Sequence, residues 1–229
     1  MNSIRLKPQS NDYYTVEAYK TLKTNIGFCG KDKQVIAITS CTENEGKSVI
    51  SINTAVSLAE SGNRVLCIDG DLRKSALIGT IVKDGKVEKG LSHYLSRQAS
   101  LDQVMCSTDV RGLDIIFSGP VPPNPAELLG SKLFGNMIDE MRKKYDYIII
   151  DNAPLGQVID AAVVAQNCDG AVLVVEQGKV SYKFAQDVKE QIEASGCMLL
   201  GVILNKVDVQ AGNGYYGKYA KYGKYSKYE

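Results

Sequence analysis

The sequence has little of the chemistry on which metal centres and many hydrolases depend. It contains one histidine in 229 residues, which argues against a zinc site and against a Ser/His/Asp hydrolase. Its six cysteines are scattered and form no CxxC pair. Cys67 and Cys168 lie in or beside apolar runs, as small core residues do.

Long apolar runs and a strong charge imbalance are also missing. No stretch approaches the ~18 apolar residues of a membrane span, and the first residues, MNSIRLKPQS, lack the apolar region of a signal peptide. Residues 1–214 carry 23 basic and 25 acidic side chains, a formal charge of −2. A nearly neutral body has no electrostatic footprint for nucleic acid. We therefore expect a cytoplasmic protein without a nucleic-acid partner.

Short apolar runs alternate with segments of helical spacing. The predicted strands are QVIAITS (34–40), RVLCID (64–69), LDIIFSG (113–119), YDYIIID (145–151), GAVLVVE (170–176) and MLLGVILN (198–205). Helices are predicted over 13–26, 47–61, 126–143, 158–167 and 181–195, while the polar stretch 74–98 fits neither pattern well. Continuous apolar runs are typical of strands buried on both faces. The alternation predicts one doubly wound α/β domain, with a mostly parallel sheet and a ligand at the strands' carboxyl ends.

A phosphate-binding loop is predicted where the first of these strands meets the next helix. Gly46, Lys47 and Ser48 stand between the two elements, which is the context that a P-loop requires. Backbone N–H groups there wrap phosphates, the lysine reaches the β/γ-phosphates, and the serine hydroxyl ligates Mg²⁺. Cys41 departs from the pattern GxxxxGK[ST], which has glycine at that position.

Carboxylates follow two more of the predicted strands. Asp69, Asp71 and Arg73 come from VLCIDGDLRK, and Asp151 ends the strand in YDYIIIDNAP, three residues before Pro154. Each aspartate alone fits a turn. Together with the loop, at one edge of a parallel sheet, they assemble a phosphate cradle, metal ligands and a possible base. The sequence therefore predicts a nucleoside triphosphate site.

The last 15 residues, YYGKYAKYGKYSKYE, hold six of the 13 tyrosines at a spacing of three. That period matches neither a strand nor a helix, and the glycines and lysines favour a flexible, hydrated segment. By itself the segment could be a solubilising tail or one that binds nucleic acid.

Taken together, these motifs resemble the bacterial tyrosine kinases of capsule and exopolysaccharide synthesis. Further similarity lies in EAYKTLKTNI (17–26), GLSHYL (90–95), GPVPPNPAELLGS (119–131) and GVILNKVD (201–208), so the resemblance covers roughly residues 13–208 and the tail. It implies a P-loop NTPase fold of the partition-ATPase-like kind. The implied parts are a helical segment for subunit contacts (1–30), a kinase domain (31–208) and a disordered tyrosine-rich tail (209–229).

The resemblance also implies roles for individual residues. ATP would be bound by Thr42, Glu43, Asn44, Glu45, Gly46, Lys47, Ser48 and Val49, with Asn205 beside the adenine ring or, as the alternative, in a simple C-terminal turn. Mg²⁺ would be held by Ser48, Asp71 and Asp151. The catalytic set would be Lys47, Asp69, Asp71, Arg73 and Asp151. Asp69 would accept the proton of the incoming tyrosine and Arg73 would contact phosphate or orient the aspartates, although the division between Asp69 and Asp71 stays open.

The implied phosphate acceptors are Tyr215, Tyr216, Tyr219, Tyr222, Tyr225 and Tyr228, on a neighbouring copy of the chain. The implied partners are a transmembrane activator of the polysaccharide co-polymerase type, which recruits the kinase to the inner face of the membrane, a cognate tyrosine phosphatase, and further copies in a ring. Glu17, Lys20 and Lys23 match the family's ring-contact motif E-x-x-R-x-x-R, but lysine lacks arginine's bidentate fork.

Two other interpretations fit parts of the sequence. A partition-type or site-placing ATPase shares the sheet and the first and last motifs, but its signature lysine would stand at Thr42, and it lacks a tyrosine tail. A catalytically idle nucleotide-binding scaffold would tolerate loss of the aspartate pair, which this chain keeps. Asn152, Ala153 and Ser75 also depart from the kinase pattern, at positions that affect loop stiffness more than chemistry.

Overall fold

The computed structural model describes residues 2–7, 12–30 and 32–207. The strands are β1 (Asn2–Leu6), β2 (Val35–Ser40), β3 (Val65–Asp69), β4 (Val82–Asp84), β5 (Met105–Thr108), β6 (Leu113–Ile116), β7 (Tyr147–Asp151), β8 (Gly170–Glu176) and β9 (Leu199–Asn205). The helices are α1 (Tyr13–Phe28), α2 (Lys47–Glu60), α3 (Leu77–Ile81), α4 (Leu91–Leu95), α5 (Leu101–Val104), α6 (Pro125–Leu129), α7 (Lys132–Arg142), α8 (Asp160–Ala165) and α9 (Tyr182–Ala194).

These strands form one sheet in the order β4-β1-β5-β6-β3-β7-β2-β8-β9. From β6 to β9 every neighbouring pair is parallel, whereas β5 runs antiparallel to β6 and β4 antiparallel to β1. The predicted doubly wound, mostly parallel α/β fold is confirmed. Because β3, β7 and β2 are adjacent, the three motif-bearing strands end side by side at one edge of the sheet.

The central strands are buried on both faces, as their continuous apolar runs predict. All six residues of β2 and all five of β3 are buried. Successive side chains of β3 point to opposite faces: Cys67 joins the core beneath α2, and Leu66 joins the core with Phe134 and Met137 of α7. Two helical layers therefore hold the carboxyl edge of the sheet in place.

Three short strands, β1, β4 and β5, extend the sheet beyond the six that the sequence predicts. They have five, three and four residues, and the buried positions of β1 are only Ile4 and Leu6. The helix predicted over 126–143 is in fact two helices. The second starts at a new cap, where the Ser131 hydroxyl accepts a hydrogen bond from the Phe134 N–H at 3.3 Å.

The predicted N-terminal helix is present as α1 and packs against α2. Its first turn is capped by Asp12, whose carboxylate accepts a hydrogen bond from the Thr15 N–H at 2.9 Å. Glu17 and Lys20 form an exposed ion pair at 2.7 Å, and the Lys23 ammonium donates to the Ser61 hydroxyl at 2.7 Å. Within the described ranges, no helix combines the length and apolar character needed to cross a bilayer.

Candidate active site

The P-loop connects the end of β2 to the first residue of α2, Lys47. Two loop residues have left-handed backbone conformations, Asn44 at φ 62° and Gly46 at φ 92°. Glycine is required at position 46 for a second reason, since a Cβ there would collide with the side-chain amide of Asn205. The tight turn leaves the N-terminus of a 14-residue helix facing the cleft, where its dipole favours anions.

A cleft of about 510 Å³ lies at this edge of the sheet. It is lined on the loop side by Glu43, Asn44, Gly46, Lys47, Ser48 and Val49. Asp71, Arg73 and Ser75 line it from the segment after β3, and Lys206 lines it from the segment after β9. Two predicted ATP-binding residues, Thr42 and Glu45, are not part of this lining. Glu45 is fully buried, and its carboxylate accepts a hydrogen bond from the Thr42 N–H at 2.7 Å.

Lys47 and Asp71 form an ion pair inside the cleft. The distance from Lys47 Nζ to Asp71 Oδ2 is 3.3 Å, and the two side chains are 13% and 5% exposed. Burial alone would lower the pKa of Lys47, but the carboxylates of Asp151 and Asp71 outweigh it, so the pKa lies above the ordinary value. The lysine is therefore a fixed positive charge at the helix N-terminus.

Asp71 and Asp151 approach this lysine from neighbouring strands. Asp71 Oδ1 accepts hydrogen bonds from the backbone N–H groups of Arg73 and Lys74, at 3.2 and 3.0 Å. Asp151 is buried at the end of β7, where Ser51 Oγ donates to its Oδ1 at 3.0 Å. Burial raises the pKa of Asp151, and Lys47 and the Ser48 hydroxyl offset part of that rise. The three predicted metal ligands are thus brought together around one lysine.

Asp69 lies behind the cleft rather than in its lining. It is fully buried at the end of β3, and its Oδ2 accepts hydrogen bonds from Ser75 Oγ at 2.5 Å and from the Ser118 N–H at 3.2 Å. Its Oδ1 has no hydrogen-bond partner within the described part of the chain. Burial above all, and then the nearby Asp151 carboxylate, raises the pKa of Asp69 to about 7.

Arg73 binds a residue to which sequence reasoning gave no role. Its Nε and Nη2 donate to the two carboxylate oxygens of Asp160 at 2.7 and 2.9 Å. Asp160 is 1% exposed and opens α8, nine positions after Asp151. The sequence offered one signal for this role: Asp160 lies near the start of the helix predicted over 158–167, shortly after the motif that contains Asp151.

Asn205 and the following lysine contact carbonyl groups of the P-loop, and Lys206 also lines the cleft. The Asn205 side-chain amide donates to the Glu45 carbonyl at 2.8 Å. The six predicted acceptor tyrosines, from Tyr215 to Tyr228, lie outside the described residues.

Comparisons with known proteins bear on this arrangement. The sequence matches the AAA domain family over residues 33–194, more than half of the chain. It is 45% identical over 208 residues to tyrosine-protein kinase CpsD of Streptococcus agalactiae, covering 89% of this chain and 90% of that protein.

Solved kinase structures share the fold. The chimerical protein CapA2B2 superimposes with a TM-score of 0.80 at 33% identity, over 90% of this chain and 93% of that one. The kinase domain of Escherichia coli tyrosine kinase ETK gives 0.79 at 33% identity, over 87% and 78%.

The partition-type ATPases are structurally more distant. The septum site-determining protein MinD of Pyrococcus horikoshii, complexed with Mg-ADP, gives a TM-score of 0.64 at 26% identity, over 80% of this chain and 72% of that one. The sheet and P-loop are common to both groups, whereas the extensive sequence identity is to kinases. The chain therefore belongs to the bacterial tyrosine-kinase family, and it is a protein-tyrosine kinase.

Proposed function

We propose that this kinase transfers the γ-phosphoryl group of ATP to the tyrosines of its own C-terminal segment on a neighbouring copy. The acceptors are Tyr215, Tyr216, Tyr219, Tyr222, Tyr225 and Tyr228. The observation that carries the proposal is the convergence of Lys47, Asp71 and Asp151 on one cleft beside a P-loop.

Phosphate binding falls to the P-loop and its lysine. Backbone N–H groups at the start of α2 cradle the phosphates, and Lys47 cancels charge on the transferred group. Because nearby carboxylates keep Lys47 protonated, that charge is available throughout the neutral pH range. Phosphoryl transfer requires little covalent chemistry from the protein. Positioning of the reactants and cancellation of the phosphate charge therefore account for most of the catalysis.

The residues at this edge fit Mg²⁺. The Ser48 hydroxyl and the carboxylates of Asp71 and Asp151 supply hard oxygen donors from three elements. No group of three or more His, Cys, Asp or Glu residues within the described ranges forms a self-sufficient metal cage, which suits an ion that keeps waters and takes phosphate oxygens. When bound, Mg²⁺ would neutralise charge on the β- and γ-phosphates.

The proton of the incoming tyrosine goes to Asp69 through Ser75, a residue for which the sequence predicted an effect on loop stiffness more than on chemistry. Ser75 lines the cleft, and its hydroxyl donates to Asp69 Oδ2. As the tyrosine oxygen bonds to the γ-phosphorus, the bond from that phosphorus to the β–γ bridging oxygen breaks and ADP leaves. The tyrosine proton passes to Ser75 Oγ while the serine proton moves to Asp69 Oδ2. A tyrosine with a pKa near ~10 gives up its proton only as that bond forms, which a positioned carboxylate assists.

In the cell, we propose a cytoplasmic kinase that regulates capsular or exopolysaccharide synthesis and export. A transmembrane activator of the co-polymerase type would recruit it to the inner face of the membrane, and a tyrosine phosphatase would reverse the modification. Self-association would use Glu17, Lys20 and Lys23 on α1, of which Glu17 and Lys20 have exposed side chains. Support comes from the resemblance of the motifs to the kinases of capsule and exopolysaccharide synthesis and from the 45% identity to tyrosine-protein kinase CpsD.

The test uses purified protein, labelled ATP and Mg²⁺, followed by proteolytic removal of the residues after Val207. Label is expected in the released peptides and absent when all six acceptor tyrosines are phenylalanine. To test transfer between copies, the Lys47→Met chain is mixed with an active chain whose six acceptors are phenylalanine. Label on the Lys47→Met chain supports transfer in trans; nucleotide hydrolysis with no protein label would instead support an ATPase.

A further inference from the structure

Three consecutive carbonyl groups of the P-loop are each held by a side chain from elsewhere in the fold. The Lys179 ammonium donates to the Glu43 carbonyl. The Lys206 ammonium donates to the Asn44 carbonyl at 2.7 Å, and the Asn205 amide donates to the Glu45 carbonyl at 2.8 Å. We call Lys179, Asn205 and Lys206 the carbonyl clamp.

The carbonyl clamp is built on two adjacent strands. Asn205 is the last residue of β9 and pairs with Glu176, the last residue of β8. The Glu176 carboxylate lies 3.0 Å from Lys206 Nζ and 3.4 Å from Lys179 Nζ. The pKa of Glu176 lies below its ordinary value, and the hydrogen bond from Lys206 is the largest cause of that shift. The carboxylate therefore stays charged at neutral pH. One anion therefore orients both lysines toward the loop.

Peptide geometry gives the carbonyl clamp a consequence on the other side of the loop. In a trans peptide the carbonyl of one residue and the N–H of the next point in opposite directions, and the described chain has no cis peptide bond. Holding the carbonyls of Glu43, Asn44 and Glu45 toward the carbonyl clamp turns the following N–H groups away from it. Those N–H groups are the donors from which a concave anion site is made.

We propose that Lys179, Asn205 and Lys206 are positioning residues that preorganise the P-loop for phosphate. They act on the loop backbone, and through it on the phosphates. Lys206 also lines the cleft, but its ammonium is held by the Asn44 carbonyl and the Glu176 carboxylate. The proposal rests on the proposed function only in that the loop binds the phosphates of a nucleotide.

Backbone conformation supports the assignment. Lys206 has φ 54°, a left-handed conformation that glycine or asparagine adopts at less cost than lysine. The position therefore carries conformational strain, and its side chain makes two contacts that a glycine could not make, one to Asn44 and one to Glu176. Gly46 fits the same account, because the Asn205 amide reaches the Glu45 carbonyl through the space that a Cβ at position 46 would fill.

A contact between Asn205 and the adenine ring is the competing role, and the two roles differ in the part of the nucleotide that they affect. A clamp on the P-loop strengthens binding of any ligand with phosphates, including one without a base. An adenine contact strengthens binding of any ligand with the base, including one without phosphates.

The experiment measures displacement of a fluorescent ADP analogue by Mg·ADP, Mg·pyrophosphate and adenosine, on the full-length chain. The variants are Asn205→Ala, Lys206→Gly and Lys206→Arg, with Lys189→Met as the matched control. Lys189 forms an exposed ion pair with Glu193 on α9, with an Nζ–Oε2 distance of 2.8 Å. Because the assay needs no tyrosine transfer, failure of the acceptor assignment would leave its result unaffected.

Asn205→Ala and Lys206→Gly are expected to weaken Mg·ADP and Mg·pyrophosphate by about tenfold each, the effect of losing one hydrogen bond in a preorganised site, with adenosine unchanged. Lys206→Gly is expected to melt at or above the temperature of the unmodified chain because it relieves the left-handed strain, and Lys206→Arg should restore phosphate affinity. The control should change none of these values.

Unchanged pyrophosphate affinity in Lys206→Gly would overturn the proposal, whether or not Asn205→Ala folds. A loss of adenosine affinity in Asn205→Ala, with pyrophosphate unaffected, would replace it with the adenine contact. A lowered melting temperature in Lys206→Gly that accounts for its weaker binding would reduce the clamp to a structural role and would equally overturn it.

Discussion

Arg73 and Asp160 are joined by two parallel hydrogen bonds across 87 positions of the sequence, from Nε to Oδ2 and from Nη2 to Oδ1. The pair links the segment after β3 to the first turn of α8. Sequence reasoning gave Arg73 the tasks of contacting phosphate or orienting the aspartates. In this structure its guanidinium binds Asp160, while its backbone N–H donates to Asp71 Oδ1.

The two partners of this ion pair should tolerate substitution unequally. Arg73→Met leaves a carboxylate that is 1% exposed without its cation, and we expect a loss of about 2–3 kcal/mol, moderated because the arginine side chain is 41% exposed. Asp160→Asn leaves only a half-exposed guanidinium and should cost less. Urea unfolding measures the free energy of unfolding of both variants. Equal losses in Arg73→Met and Asp160→Asn would contradict the prediction.

Lys47→Met should lower tyrosine transfer by roughly 10²–10³-fold, since a preorganised charge on the transferred group is lost. The domain should still fold, because the lysine lies at the cleft surface of a helix terminus. Phosphotyrosine formation and the circular dichroism spectrum are the measurements. Lys189→Met, which also removes one lysine charge, is the control, and labelling of Lys47→Met near the level of that control would refute the assigned role.

Asp71→Asn and Asp69→Asn should both abolish transfer but differ in nucleotide binding. Asp71 contacts Lys47 in the cleft, so its loss should weaken Mg·ATP by about tenfold, the effect of losing a charged ligand. Asp69 lies behind the cleft and should leave Mg·ATP affinity within about twofold of the unmodified chain. Titration with a fluorescent ATP analogue separates the two, and equal weakening would show that the roles are not divided in this way.

Ser75→Ala should reduce kcat more than it raises KM for ATP. The substitution removes the hydroxyl that connects Asp69 to the cleft, whereas the P-loop contacts with phosphate remain. We expect a loss of about 10²-fold, as for a lost step of proton transfer. Ser75→Thr keeps the hydroxyl and should retain most of kcat; a threonine variant as slow as the alanine variant would argue for a purely structural serine.

Asp169 provides a pH-dependent contribution to stability far from the cleft. Its carboxylate accepts hydrogen bonds from the Val35 N–H at 2.7 Å and from both terminal nitrogens of Arg142 at 2.7 and 2.8 Å. Burial raises the pKa of Asp169, but the bonds from Arg142 and Val35 outweigh it, and the net shift is downward. A depressed pKa means stabilisation that is complete above the unfolded value of ~3.9 and is lost as pH falls through the folded value.

Asp169→Asn should therefore cost on the order of 1–2 kcal/mol at pH 7, with the difference from the unmodified chain shrinking below about pH 4. Urea unfolding at pH 7 and at pH 3 measures it. Asp187→Asn removes an exposed partner of Lys183 on α9 and should change stability by less than about 0.5 kcal/mol at either pH. If Asp169→Asn lost the same free energy of unfolding at pH 7 and at pH 3, the charged pair of Asp169 and Arg142 would be ruled out as the source of the loss.

The sequence predicted the elements that have a strong local signal. All six strands predicted from apolar runs are present. Five of them are largely buried, as such runs predict, whereas β9 lies at the edge of the sheet and has no buried residue. The short edge strands β1, β4 and β5 were missed because three to five residues with few apolar positions carry almost no periodicity. The break before α7 was missed because the cap at Ser131 competes with an otherwise uninterrupted helical pattern.

For the site, linear motifs predicted which strands deliver the loop and the carboxylates but not the contacts between distant segments. Asp160, Ser118 and Lys179 act through single hydrogen bonds or pairs to residues 49 to 136 positions away. The local sequence offers only a weak signal for Asp160, an aspartate at the start of a predicted helix, and none for Ser118 or Lys179. The burial of Glu45 behind the loop was unforeseen for the same reason, because only the three-dimensional fold brings the loop against β8.

The position of the carbonyl clamp in the chain gives it a mechanical meaning. Lys206 holds the loop that receives the phosphate donor, and eight residues separate it from Tyr215, the first of the acceptor tyrosines. The strand β9 ends at Asn205, so the chain leaves the sheet at the residue whose amide holds the Glu45 carbonyl. Asn205 and Lys206 thus connect the P-loop to the start of the chain that leads to the acceptor tyrosines, and a force on that chain would reach the P-loop first through these two residues.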